Sequence, residues 1–229
     1  MFQYFGELMI LQMPEDISAP PADNAGHECY LMQFSDGNRI DLGIYLVEML
    51  PILGSDSLSI LLLDKDAIIG AYPPSNDGDY LPKPPTLKAF ADCCNEFWWV
   101  SPYVAKGLWR QEILNAKYFL DEVVRVELME MLTWHIGWKT GFSVSPGKMG
   151  KYFQRYLEPE LWEMLLKTYS PADYEQTWQA LFVMGELFRK TAIPLAEHFQ
   201  LVYPFEDDRR VSAHLRHVHD LPRHASEMY

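Results

Sequence analysis

The 229-residue sequence is poor in cysteine, with three residues, Cys29, Cys93 and Cys94, two of them adjacent. So small and odd a set excludes a disulfide framework and suits a reducing compartment, so a cytoplasmic location is expected. No apolar run approaches 18 residues, and the first dozen residues lack a basic lead-in and contain Glu7. Neither a membrane span nor a signal peptide is expected from that pattern. Positive charge is also short: 19 Lys+Arg against 32 Asp+Glu leave a net charge of −13 at pH 7. Such a surface repels phosphate backbones and anionic lipid, so partners made of nucleic acid or membrane are not expected, and it attracts cationic ligands. Internal repeats and low-complexity tracts are absent. What the chain does have is apolar residues, 48% of the total. That excludes a disordered chain and is enough for one large domain or two small ones.

The pattern changes near residue 85. Before it, Cys29 to Phe34 is a short apolar run, Ser35-Asp36-Gly37-Asn38 is a turn, and Arg39 to Tyr45 alternates, with Ile40, Leu42 and Ile44 opposite Arg39, Asp41 and Tyr45. This spacing predicts a β-hairpin. Leu58 to Leu63 reads as a buried strand ending at Asp64-Lys65-Asp66. Five prolines between Pro73 and Pro85 mark a loop and a domain boundary. Beyond it, Leu87, Phe90, Ala91, Cys94, Phe97 and Trp98 recur at helical spacing. Ser101-Pro102 reads as the start of a new helix or a kink. A long helix is expected from Ile113 through Trp134 to the stops at Gly137 and Gly141, and another from the cap at Ser170-Pro171-Ala172-Asp173 to about Phe199, with a kink at Pro194. Val211 to Leu221 reads as a last helix. The class is α+β, a small mixed sheet followed by a helical bundle.

Candidate chemistry is sparse. Asp41 lies mid-strand, where aspartate is disfavoured. It is either half of a surface pair with Arg39 or a carboxylate on a rigid element that takes a proton or binds Mg²⁺ with partners on a neighbouring strand. Asp64-Lys65-Asp66 is either a solvated strand end or the rim of a cleft. Cys93-Cys94-Asn95-Glu96-Phe97-Trp98-Trp99 is either a core helix with a polar stripe or an aromatic and acidic wall for a cationic ligand. Lys106 and Arg110, near Glu112, share a helix face and are either surface charges or phosphate contacts. Gly147-Lys148-Met149-Gly150-Lys151 lacks the Walker spacing but offers two lysines from a loop. His214, His217, His219 and His224 stand among arginines, which disfavours a metal site.

Together, Phe5-Gly6-Glu7, Met13-Pro14-Glu15, Tyr30-Leu31-Met32, Asp36-Gly37-Asn38-Arg39-Ile40-Asp41-Leu42, Leu62-Leu63-Asp64-Lys65-Asp66, Cys93 through Val100, Tyr103 through Leu108, and Gly147-Lys148 with Lys151-Tyr152 resemble the aminoglycoside 6-adenylyltransferase (streptomycin adenylyltransferase) family of resistance enzymes, over essentially the whole chain. The resemblance implies a partial nucleotidyltransferase-fold sheet in residues 1–85 and a helical substrate- and nucleotide-binding domain in 86–229, with the active cleft expected between them. It implies transfer of AMP from Mg-ATP to a streptomycin hydroxyl, with Asp41 as general base or metal ligand. Glu96, Trp98, Trp99 and Glu112 become drug-binding candidates, and Lys106, Lys148 and Lys151 phosphate-binding ones. Neither the Gly-Ser-Arg turn nor the Asp-x-Asp pair of that superfamily precedes Asp41. The chain is thus expected to begin at an internal point of the family pattern, and without those groups transfer is expected to slow on the order of 10³-fold or more. Two alternatives follow: an inactive aminoglycoside- or nucleotide-binding fragment of the family, and a carboxylate-metal phosphohydrolase.

Overall fold

The computed structural model describes residues 4–17, 26–50, 56–222 and 225. The chain divides into two compact units, residues 1–79 and 80–229. Among the described residues, no helix is long and apolar enough to cross a membrane.

In the first unit, strands β1 (Leu8–Gln12), β2 (His27–Phe34) and β3 (Arg39–Tyr45) form a sheet in that order, with the short helix α1 (Pro14–Ile17) between β1 and β2 in sequence. The expected hairpin is present. Gly37 takes a positive φ, Asp36 accepts the Asn38 N–H at 2.9 Å, and the Phe34 N–H donates to the Asn38 carbonyl at 2.9 Å. Register pairs Met32 with Ile40 and Leu31 with Asp41. The period of two puts Met32 and Phe34 in the buried face and Asp41 on the other. The α+β class stands, but the sheet is not mixed: both pairings are antiparallel. The strand expected at Leu58 to Leu63 is also absent. Ile60 and Leu62 are exposed, and the segment follows turns tied to residues 76–79, where Ser57 donates its N–H to Asp79 at 2.8 Å. Apolar content alone did not make a strand there because no neighbouring strand pairs with it among the described residues.

The second unit is helical: α2 (Leu87–Trp109), α3 (Ile113–Phe119), a π turn (Leu120–Val124), α4 (Arg125–Lys139), α5 (Phe153–Tyr156), α6 (Pro159–Lys167), α7 (Tyr174–Phe199) and α8 (Phe205–Asp220). Thr86 caps α2 by accepting the Ala89 N–H at 3.1 Å, and Asp173 caps α7 by accepting from Gln176 at 2.9 Å. Ser101-Pro102 starts no new helix. It lies inside α2, where the Ser101 hydroxyl donates to the Phe97 carbonyl at 2.7 Å. The core is a continuous cluster in which Phe97 stacks on Phe188 at 3.9 Å and Trp98 meets both rings edge-on. At the α2–α3 corner, a Cβ on Gly107 would sit 3.0 Å from the Ala116 backbone nitrogen, so this approach needs glycine. The long helix predicted from Ile113 is broken in pattern by the π turn. There the buried Arg125 holds Asp121 at 2.8 Å, the Thr168 hydroxyl at 2.6 Å and the Thr168 carbonyl at 2.8 Å, joining the helix to the end of α6.

Candidate functional site

Asp41 stands on an exposed strand face, and its two carboxylate oxygens accept from the Arg39 Nε and a terminal guanidinium nitrogen, each at 2.8 Å. Arg39, two residues away, reaches it because alternate residues of a strand share a face. This pair holds the carboxyl below the usual aspartate range. The partners expected on a neighbouring strand are not there. Across from Asp41 is Leu31, and Cys29 and Gln33 flank it on the same face. Among the described residues no group of three metal-ligating side chains includes Asp41. A Mg²⁺ ion therefore does not find a coordination set here: one carboxylate engaged by a guanidinium is too little for a hard, six-coordinate cation. The same face lines a cleft of about 540 Å³ with Gln12, Asp16, Leu31, Gln33 and Arg39 among its walls.

Asp64 is a loop clamp, accepting the N–H groups of Ile68, Ile69 and Gly70 at 3.0–3.1 Å. Burial pulls its carboxyl up, but these backbone N–H groups outweigh it and leave the carboxyl below the usual range.

In the second unit the acidic stripe is real and larger than the sequence suggested. Asp92 and Glu96, four apart on α2, share a face, and Glu127, Glu130 and Trp134 recur at three and four on α4. With Ala89, Cys93 and Asn95 these side chains line a cleft of about 480 Å³. Burial raises the Glu127 carboxyl, and the neighbouring Glu96, Glu130 and Asp92 add to that, against a contact from Cys93 that lowers it. Burial alone raises Glu130. Four carboxylates with one cation at the rim, Lys88 on Asp92, make a concave negative field. The cysteines beneath are inert: burial pushes the Cys94 thiol up to about 12 and Cys93 higher still.

A second cleft, of about 650 Å³, adjoins this one, because Glu127 and Glu130 line both. Its far wall includes Gly147, Met149 and Gly150 of the glycine-lysine loop. Gly147 and Gly150 have positive φ, and Lys148 and Lys151 point into solvent beside it.

The tryptophan wall is corrected. Adjacent helical residues diverge by about 100°, so Trp98 is 2% exposed while Trp99 is 63% exposed. Trp98 is a core residue, with the Arg189 guanidinium 5.1 Å from its ring, and it is not free to stack on a ligand. Lys106 is exposed in the last turn of α2 and Glu112 is exposed before α3, its N–H donating to the Gly107 carbonyl at 2.8 Å. Ten residues of helix, about 15 Å, separate Lys106 from Glu96, so neither Lys106 nor Glu112 joins the acidic cleft. His219 pairs with Glu175 at 3.1 Å, and His224 lies outside the described residues. Sequence reasoning missed Asp92, Glu127, Glu130 and Trp134. Trp134 read as core, and the i, i+3 glutamates became meaningful only once α4 faced the Glu96 stripe.

The sequence matches the profile of the family described as streptomycin adenylyltransferase over residues 1–218. An aminoglycoside 6-adenylyltransferase of Bacillus subtilis (strain 168) is 40% identical over 208 residues, which are 90% of this chain and 73% of that protein. One from Campylobacter jejuni is 42% identical over 206 residues, 90% of this chain and 71% of the relative. The crystal structure of an aminoglycoside 6-adenyltransferase from Bacillus subtilis superposes with a TM-score of 0.58 at 37% identity, covering 96% of this chain and 83% of that one. The chain belongs to the streptomycin adenylyltransferase family.

Proposed function

We propose that this protein is an aminoglycoside 6-adenylyltransferase acting on streptomycin in the cytoplasm, with ATP as the AMP donor. The observation that supports this most directly is the acidic cleft of Asp92, Glu96, Glu127 and Glu130. Streptomycin carries guanidinium groups, which carboxylates bind in pairs of charge-assisted hydrogen bonds and aromatic faces attract. Partial burial of Glu127, with Glu96, Glu130 and Asp92 close by, makes its ionisation costly until a cation arrives, which favours a polycation over water there. Trp99, exposed on α2, offers a stacking face.

In the reaction, a drug hydroxyl attacks the α-phosphorus of ATP. The new P–O bond forms as the bond to the β-phosphate oxygen breaks, and pyrophosphate leaves with that electron pair. Asp41 is the candidate base for the hydroxyl proton once released from Arg39, and, within the helical unit, Lys148 and Lys151 are the candidates for phosphate charge. Residues 1–85 then serve the transfer chemistry and 86–229 bind substrate. Among the described residues, Mg²⁺, the ion this chemistry ordinarily uses, has no adequate set of ligands around Asp41, and no step above depends on it.

That same thin ligand set favours a second possibility, a protein that binds the drug without modifying it. Incubating purified protein with streptomycin, Mg²⁺ and ATP labelled at the α-phosphate separates the two. Labelled streptomycin establishes transfer. Calorimetric binding of streptomycin with no labelled product rejects transfer in favour of binding alone.

A further inference from the structure

We propose that Glu15, His27 and Cys29 bind a thiophilic divalent transition metal, zinc being the matching ion. One donor atom from each lies within 4.8 Å of the other two, and the His27 Nε2 is 3.5 Å from a Glu15 oxygen. A tetrahedron with zinc bonds of 2.0–2.3 Å has edges of about 3.3–3.8 Å, so modest side-chain rotation closes the set.

The local fold explains the convergence. His27 and Cys29 are two apart on β2 and share a face, and α1 brings Glu15 onto that face. The His27 ring stacks on Tyr45, its register partner on β3, with centroids 5.5 Å apart and planes 8° from parallel. Opposite Cys29 is Gly43, over which the Tyr45 ring folds so closely that a Cβ there would meet it at 2.5 Å. The His27 ring is thereby oriented, and the Tyr45 ring fills the position over Gly43 opposite the thiol.

A second observation points to a cation. The Glu15 side chain is nine-tenths buried, yet its other oxygen, Oε2, is shut off from solvent with no hydrogen-bond partner. A buried carboxylate oxygen without a hydrogen-bond partner, beside an imidazole and a thiol, is stabilised by a positive charge placed among them. Cys29 carries a free thiol and its proton. Metal binding replaces that proton: the S–H bond breaks, the proton goes to solvent, and a thiolate–metal bond forms.

Sulfur, imidazole and carboxylate select a borderline-soft ion such as Zn²⁺ over Mg²⁺, and three protein ligands leave one position for water. The site shares a strand face with Asp41 but uses none of the groups assigned to adenylyl transfer, so it stands or falls independently of that function.

Tag-free protein titrated with Co²⁺, the spectroscopic stand-in for Zn²⁺, tests it. The expected result is one equivalent bound, with a thiolate-to-cobalt charge-transfer band. Cys29→Ser should abolish the band, and Glu15→Gln and His27→Asn should each weaken binding about tenfold or more, by analogy with metal-site losses. A folded protein without the band, or a band that survives Cys29→Ser, overturns the proposal. Should the variants misfold, the unmodified protein still decides: Zn²⁺ alone should slow alkylation of Cys29 at least tenfold, with the buried Cys93 and Cys94 as internal references. Equal alkylation rates with and without Zn²⁺ overturn it as well.

Discussion

The two units solve the burial problem differently. In the sheet unit, Met32 and Phe34 are the buried apolar residues among those described, while Met9, Ile10, Ile44, Leu46, Ile60 and Leu62 are exposed. In the helical unit the core runs from Phe90 to Val218 without a break. Stability in such a molecule is concentrated in the helices, because burial scales with apolar area removed from water and a three-stranded sheet with so few buried side chains removes little. Charge is divided as well. The sheet's Asp41 is neutralised by Arg39 at the surface, whereas Glu127 is partly buried among carboxylates that oppose its ionisation and Glu130 stands at the exposed edge of the same cleft. The sheet thus offers exposed groups on a thin support, and the bundle offers a preformed negative cavity.

Four measurements sharpen or break this contrast. The largest effect is expected in the sheet. Asp41→Asn should lower AMP transfer about 10²–10⁴-fold, the usual worth of a general base, with the melting midpoint unchanged because the group is exposed. Unchanged turnover removes Asp41 from the chemistry. Next, Phe188→Ala in the bundle should cost about 3–5 kcal/mol in denaturant unfolding, against about 2 kcal/mol for Met32→Ala. Equal costs would mean that the sheet carries more of the stability than its burial implies. Native-state hydrogen exchange gives the same contrast without mutation, with faster exchange in β1–β3 than in α2 or α7.

The third concerns pH. Glu127 and Glu130 have folded pKa values above their ordinary 4.5, so the folded state holds protons that the unfolded chain has released. Their contribution is therefore most favourable below the unfolded value and is lost as pH rises through the raised folded values. Ligand-free stability from these two groups should fall across that window while streptomycin affinity rises as they ionise. Glu127→Gln should flatten both trends and weaken the drug about tenfold, by calorimetry. Drug affinity that falls as pH rises through this window would place the drug elsewhere. The smallest effect is Trp99→Ala: stability within about 0.5 kcal/mol, as for an exposed side chain, and drug binding a few-fold weaker if the ring stacks on a guanidinium.

Much of the fold could be read from the residues. Asp36-Gly37-Asn38 announces its turn because Gly37 must take positive φ, and Asp173 announces α7 because its oxygen has an N–H to accept. Leu58 to Leu63 misled because local hydrophobicity does not report whether a neighbouring strand exists to pair with it. Ser101-Pro102 misled as a helix start for another reason: the helix runs on through Pro102, with the Ser101 hydroxyl donating to the Phe97 carbonyl. The site was half legible. Glu96 was found by composition, but its partners Glu127 and Glu130 lie some thirty residues on, and only the packing of α4 on α2 brings them together. Trp98 and Trp99 could have been told apart from periodicity, since Cys94, Phe97 and Trp98 share the apolar stripe and Trp99 does not.

Because Glu127 and Glu130 form a common wall of the two adjoining clefts, the clefts are not independent addresses. A cation lodged in one lowers the negative potential felt in the other, so two separate cations should antagonise each other. A single molecule with two cationic ends, bridging the shared carboxylates, avoids that penalty and gains from tethering. Inhibitor chemistry aimed at this protein is therefore better served by joining fragments across the wall than by enlarging either one alone.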